Sequence, residues 1–178
     1  MFNRLKEIIK KLEGNVLTIG LDDEILDSFK SNNNVNLYAI SYENNKGLLP
    51  KKSKMKKTNT GKEINIKKIR KYINKKSVDY LILNIESMYK YYKYVIKDTI
   101  YLNNNTIYVY SSNNIDKEFV ISRYKRYNVK IEVTDYKNGY IIKIDNKLGK
   151  TNFIKDRINI IKDTLYNIAE FIGSILAS

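Results

Sequence analysis

Chemistry in this chain has to run on carboxylates, lysines, tyrosines, hydroxyls and backbone amides, because its 178 residues include no histidine and no cysteine. That excludes Ser-His-Asp and Cys-His catalysis, together with the common zinc and iron–sulfur sites, and no metal site is expected. The strongest chemical signal is charge. Residues 46–76 hold thirteen basic residues against one acid, Glu63, while the rest of the chain nearly balances, so most of the net charge of +14 sits in one stretch. Lys51, Lys52, Lys54, Lys56 and Lys57 are its densest part and the candidate anion-binding residues. Lysines on a flexible segment bind phosphates as mobile point charges. Arg70 is the tract's single guanidinium, the group that base reading favours, so the expected contact is non-specific. Nucleic acid, another polyanion or an acidic membrane surface would suit it; the competing reading is a solvated insertion. Tyr89, Tyr91, Tyr92 and Tyr94 interleave with Lys90 and Lys93, a pattern able to stack bases. Four tyrosines in six residues point all round a helix, however, and some of them must be core.

Composition supplies a bland explanation that has to be applied first. Lys, Asn, Ile and Tyr make up 94 of the 178 residues. All four have AT-rich codons, so a low-G+C bacterial genome would enrich them without selection for function. Such a bias spreads lysines along a chain and does not concentrate them. The mass of 21.0 kDa fits one domain with a sizeable core. Residues 1–14 mix charged and apolar side chains with no apolar h-region after them, and no run approaches the ~20 apolar residues a spanning helix needs. The expectation is a cytoplasmic protein without a transmembrane segment.

The elements that must position these groups follow from periodicity. Phe2, Leu5, Ile9 and Leu12 mark an amphipathic helix over 2–13, stopped at Gly14. Residues 16–21 are a short apolar strand, Asp22 can cap a helix over 23–31, and 35–42 are a second strand. The tract 46–62, with the only proline at Pro50, has no apolar period and reads as a basic flexible loop. A brief strand is expected at 63–66 and a helix at 67–76. Residues 78–85, VDYLILNI, are the clearest buried strand, apolar almost throughout as in a parallel sheet covered on both faces. A Tyr-rich helix over 87–101, a strand over 106–111 and a helix over 115–127 follow. Alternation at 129–133, the Asn138-Gly139 turn signal and 140–144 then make a hairpin. Alternating strands and helices predict an α/β fold: a Rossmann-like three-layer sandwich, mostly parallel, with a C-terminal antiparallel hairpin.

That order of elements, carried by NVLTIG, VNLYAISYEN, VDYLILN and NTIYVYSS, resembles the class I S-adenosylmethionine-dependent methyltransferases over roughly residues 2–147. In that family the first strand ends in an acid and a glycine-rich turn. Here the stretch is Thr18-Ile19-Gly20-Leu21-Asp22-Asp23-Glu24, which keeps Gly20 and loses the acid and the other glycines. The resemblance implies a cofactor site of Gly20, Asp22, Glu43 after the second strand, and Asn84, where the family's Asn/Asp-Pro-Pro-aromatic has become Asn84-Ile85-Glu86-Ser87. Plainer roles compete: a strand-to-helix turn for Gly20, helix capping for Asp22, a loop carboxylate for Glu43, a turn residue for Asn84. With the glycines gone, the expectation is no bound cofactor and a catalytically degenerate, methyltransferase-like binding or assembly module. The alternatives are an active S-adenosylmethionine-dependent methyltransferase on RNA or another anionic substrate, and a non-specific nucleic-acid-binding protein. No catalytic residue can be named.

The methyltransferase-like domain is expected to span 1–147, and 148–178 to form a helical extension. Ile154, Ile158, Ile161, Leu165, Ile168, Ile172 and Ile175 are spaced 4, 3, 4, 3, 4, 3, an unbroken heptad seam. The expectation is self-association through it, most simply as a dimer. Packing on the parent domain, or docking on another partner or a membrane, competes.

Overall fold

The computed structural model describes residues 1–42, 53–57, 60–64, 77–87, 92–114, 116–127 and 129–146, with six further positions at 158, 161, 162, 165, 168 and 169. In chain order the elements are α1 (Phe2–Ile9), β1 (Gly14–Ile19), α2 (Asp23–Asp27), β2 (Val35–Tyr42), β3 (Ser53–Lys57), β4 (Thr60–Ile64), β5 (Val78–Asn84), α3 (Tyr92–Leu102), β6 (Asn103–Ser111), α4 (Lys117–Lys125), β7 (Lys130–Tyr136) and β8 (Gly139–Asp145). They build one sheet of order β4-β3-β2-β1-β5-β6-β8-β7.

The centre of the sheet is parallel: β1 lies between β2 and β5, and β6 follows β5. Its near-continuous apolar sequences need cover on both faces, and they have it. On one face Leu17, Ile19, Leu81, Leu83, Ile107 and Val109 meet Val95, Ile96 and Leu102 of α3 and Val120, Ile121 and Tyr124 of α4. On the other, Val16, Ile82 and Tyr110 meet Leu5 and Ile9 of α1 and Ile25 of α2. The alternation of Val16 with Leu17, and of Ile82 with Leu81 and Leu83, is the strand period of two assigning each residue to a face. The result is an α/β domain of three layers.

The sheet is mixed, parallel at its centre, and carries an antiparallel edge beyond the expected hairpin: β2–β3–β4 on one side, β6–β8–β7 on the other. One expectation needs correction. The tract 46–62 is not simply a loop, since residues 53–57 and 60–64 pair as a hairpin with Lys57 opposite Tyr38 and Ser53 opposite Tyr42. No apolar alternation announces β3 and β4, whose sequences SKMKK and TGKEI are mostly charged or polar. Lysine on an edge strand also discourages pairing with another chain. The brief strand expected at 63–66 is the end of this hairpin. The helix expected at 67–76, and Tyr89 and Tyr91, lie outside the described residues.

The closing hairpin forms as read, with a difference in its turn. Tyr136 pairs with Gly139, so the loop residues are Lys137 and Asn138 and the glycine already belongs to β8. A Cβ at Gly139 would stand 2.3 Å from the Ser111 carbonyl oxygen. Glycine is required there for close approach to the end of β6, not for turn geometry. At the opposite end of the sheet a set of asparagines satisfies backbone groups: the buried Asn103 amide donates to the carbonyls of Asp79 and Thr106, and Asn146 donates to that of Asn103. The six described positions near the C-terminus, 158, 161, 162, 165, 168 and 169, are all helical. No described helix is long and apolar enough to cross a membrane.

Candidate functional site

In an open parallel sheet, ligands bind outside the carboxyl ends of the strands. Here those ends are Ile19 of β1, Tyr42 of β2, Asn84 of β5 and Ser111 of β6, brought level by the pairs Ile19–Ile40, Ile19–Leu83 and Asn84–Tyr110. This edge is where the sequence places its candidate cofactor residues.

Gly20 turns the chain out of β1 in a left-handed conformation, φ 70°, which a residue without a Cβ adopts at no steric cost. Its N–H donates to the Ile40 carbonyl at 2.8 Å, and its own carbonyl accepts the Ser87 hydroxyl. Leu21 follows and turns inward. It is 6% exposed and packs in the same cluster as Ile25, Phe29, Ile82 and Tyr110. Asp22 is exposed at the cap position of α2. Its carboxylate makes no capping bond, while its carbonyl accepts the N–H groups of Ile25 and Leu26, each at 3.0 Å. The capping role read from sequence is therefore one of position without the side-chain bond.

Asn84 is buried, and its Oδ1 accepts the N–H groups of Glu86 at 3.0 Å and Ser87 at 3.4 Å. That is an Asx turn, the bond by which Asn mimics a backbone turn. It presents the Ser87 hydroxyl to Gly20, joining the ends of β1 and β5. Glu86 joins β5 to β6, its carboxylate accepting both the N–H of Ser112, at 3.2 Å, and the Ser112 hydroxyl. Tyr110, T-stacked on Phe2 with ring centroids 6.4 Å apart, extends its phenol toward this corner. The hydroxyl is buried with no hydrogen-bond partner of good geometry. Burial pushes its pKa well above the usual phenol value. The Asp22 charge adds to that, and the Asn84 amide and Asp22 backbone pull the other way.

The structure thus brings Gly20, Asp22 and Asn84 to one edge. Glu43, Lys51 and Lys52 lie outside the described residues. Lys54, Lys56 and Lys57 belong to β3, which starts opposite the end of β2, so the basic hairpin begins beside the same edge. Sequence reasoning missed Ser87, Glu86, Ser112 and Tyr110. Asn followed two and three residues later by Glu and Ser is a readable turn signal, but the partners of that turn come from other strands. Among the described residues no three of His, Cys, Asp and Glu gather to hold a metal. The two grooves described lie elsewhere. One of about 650 Å³ lies between the start of α4 and the end of β7, with Asp116, Lys117 and Asp135 on its walls. One of about 170 Å³ lies beside α1, Tyr80 and Tyr108.

No protein-family model matches this chain, and no curated protein matches it. Among solved structures, TrmK of M. capricolum in complex with the cofactor product S-adenosyl-homocysteine is similar over 96% of this chain and 86% of that one, at 14% identity and a TM-score of 0.44. A likeness of that degree assigns neither a family nor a ligand here.

Proposed function

We propose that this chain is a methyltransferase-like α/β domain that has given up methyl transfer and works as a binding module for an anionic partner. The observation that carries the first half is Leu21. The turn after β1 has to let a nucleotide cofactor approach the backbone, which is why glycines are used there. In this chain a leucine occupies the position after Gly20 and is packed into the core. The Ser87 hydroxyl also ties the Gly20 carbonyl to the next strand end. Asp22 adds negative charge outside. These residues do not fit S-adenosylmethionine. Support for the second half is the concentration of thirteen basic residues in 46–76, a field suited to a polyanion such as nucleic acid.

A second reading, an active S-adenosylmethionine-dependent methyltransferase on RNA or another anionic substrate, draws on the meeting of Gly20, at φ 70°, and Asn84 at adjacent strand ends. Calorimetric titration with S-adenosylmethionine separates the two. The expected result is no binding heat up to millimolar ligand; micromolar affinity lost in Asn84→Ala would establish the second reading instead. For the anionic partner, binding of a labelled single-stranded RNA should weaken steeply between 50 and 200 mM salt. Changing Lys51, Lys52, Lys54, Lys56 and Lys57 to Glu should abolish it, with the circular dichroism of the domain retained as the check on folding. Equal retention of both proteins on heparin would refute that part.

A further inference from the structure

Among the described residues, the C-terminal seam is open to solvent. Both faces of the sheet are already covered by α1, α2, α3 and α4, so the core needs no further helix. The four described seam residues are helical and open to solvent: Ile158 is 46% exposed, Ile161 57%, Leu165 60% and Ile168 50%. Lys162 and Ala169, which flank the seam on one side, are exposed as well. Aliphatic residues at a strict 4-3 spacing are complementary to a helix carrying the same spacing, and a second copy of this chain is one.

We propose that two copies pair through residues 158–175 as an antiparallel two-helix seam, in the register that sets Ile158 against Ile175, Ile161 against Ile172 and Leu165 against Ile168 of the other copy. The register comes from the charges flanking the seam. Lys155, Arg157 and Lys162 flank its first half, while Ala169, Phe171 and Leu176 flank the second half. A parallel in-register pair would set each cation beside its own copy, and isoleucine at both seam positions would there favour more than two strands. Antiparallel pairing sets the basic half of one helix along the apolar half of the other. It also brings each cation toward the end of the partner helix where the dipole is negative. Two antiparallel registers set six of the seven seam residues opposite one another: the one given leaves out Ile154, and the other leaves out Ile175. Sliding by one heptad, to Ile158 against Ile168 and Ile161 against Leu165, would set Lys162 against itself, so the register given is the one without a like-charge contact. It extends over residues 158–175, two and a half heptads or ~27 Å of helix. This inference is independent of the binding-module reading.

The chain has no cysteine, which makes the register directly testable on the full-length protein. Sedimentation velocity at 1–100 μM should show a concentration-dependent dimer. Ile161→Asp together with Ile168→Asp should raise the dissociation constant at least 100-fold while leaving the circular dichroism of the domain intact. An equimolar mixture of Ile158→Cys and Ile175→Cys chains should oxidise to the mixed cross-linked dimer, and neither variant alone should cross-link. A wild-type monomer at 100 μM overturns the proposal, as does cross-linking of Ile158→Cys to itself. A fall of melting temperature in the Asp variant with no change in mass would place the helix on its own domain and also overturn it.

Discussion

Three fully buried tyrosines make the stability of this domain alkaline-labile by a calculable amount. Tyr110, Tyr124 and Tyr140 have no exposed surface. Burial raises the pKa of each, reinforced at Tyr110 by Asp22 and at Tyr140 by Asp116, and opposed at Tyr124 by the hydroxyl of Thr99, 2.8 Å away. In the unfolded chain each phenol ionises near its ordinary value of about 10. A group whose folded pKa is raised contributes stability that is whole below the unfolded value and is lost as pH climbs toward the folded one. At pH 11 the unfolded state gains RT ln(1 + 10) per tyrosine, about 1.4 kcal/mol, and three give about 4 kcal/mol. Against a typical total of ~5–15 kcal/mol, that is a large share. Urea denaturation at pH 8, 9, 10 and 11 measures it: stability should be level to pH 9 and fall by about 4 kcal/mol by pH 11. Tyr124→Phe should lower stability at pH 8 by roughly 1 kcal/mol for its lost hydrogen bond, yet lose about 1.4 kcal/mol less than wild type on the way to pH 11. A wild-type loss below about 1.5 kcal/mol, or tyrosinate absorbance showing all 16 tyrosines ionised before unfolding, would refute the reasoning.

Leu21→Ala should cost about 2–3 kcal/mol in urea denaturation, the lower part of the range for a buried leucine because the site borders a turn that can settle. A cost under ~0.5 kcal/mol would mean that Leu21 does not plug the turn after β1. Gly139→Ala should cost at least ~2 kcal/mol, because the new methyl meets the Ser111 carbonyl and the backbone of Ser112 rather than a flexible side chain. A variant as stable as wild type would show that β8 can move away from β6 at no cost.

Much of the fold was readable because its causes are local. VDYLILN is apolar on both faces, and only a strand with cover on both sides explains that. The hairpin β7–β8 announced itself by alternation, although the glycine of its turn signal proved to serve a contact with β6. The apolar period over 2–13 is that of a helix but outlasts it, since Phe2–Ile9 gives way to turns before Gly14. What stayed hidden depends on partners distant in sequence. Nothing in Thr60–Ile64 or Ser53–Lys57 distinguishes an edge strand from a loop until β2 is there to pair with it. Gly20 and Asn84 take the plainer roles their sequence offers, a strand-to-helix turn and a turn residue, and Asp22 holds the cap position without the side-chain bond. The Ser87 bond to Gly20 and the Glu86 bond to Ser112 each join the ends of different strands, which the sequence does not set side by side.

Those bonds also locate where function is left to reside. The carboxyl edge of the sheet uses its polar groups on itself: Asn84 on two backbone amides, Ser87 on Gly20, Glu86 on Ser112. Unspent capacity lies in the basic tract, which meets this edge through β3, and in the exposed seam. The two proposals combine into a quantitative expectation. A dimer holds two tracts, so a strand long enough to reach both binds the second one intramolecularly, a gain of roughly 10²-fold or more without any new contact. An octanucleotide can occupy only one tract and gains nothing. The pair Ile161→Asp and Ile168→Asp, which leaves every lysine of the tract in place, should therefore weaken binding of a 40-nucleotide single strand by roughly that factor and leave the octanucleotide's affinity unchanged. Equal affinity of wild type and variant for the long strand would mean that the two tracts never act on one ligand. Equal loss on both lengths would mean that the seam supports the tract of its own chain rather than joining two.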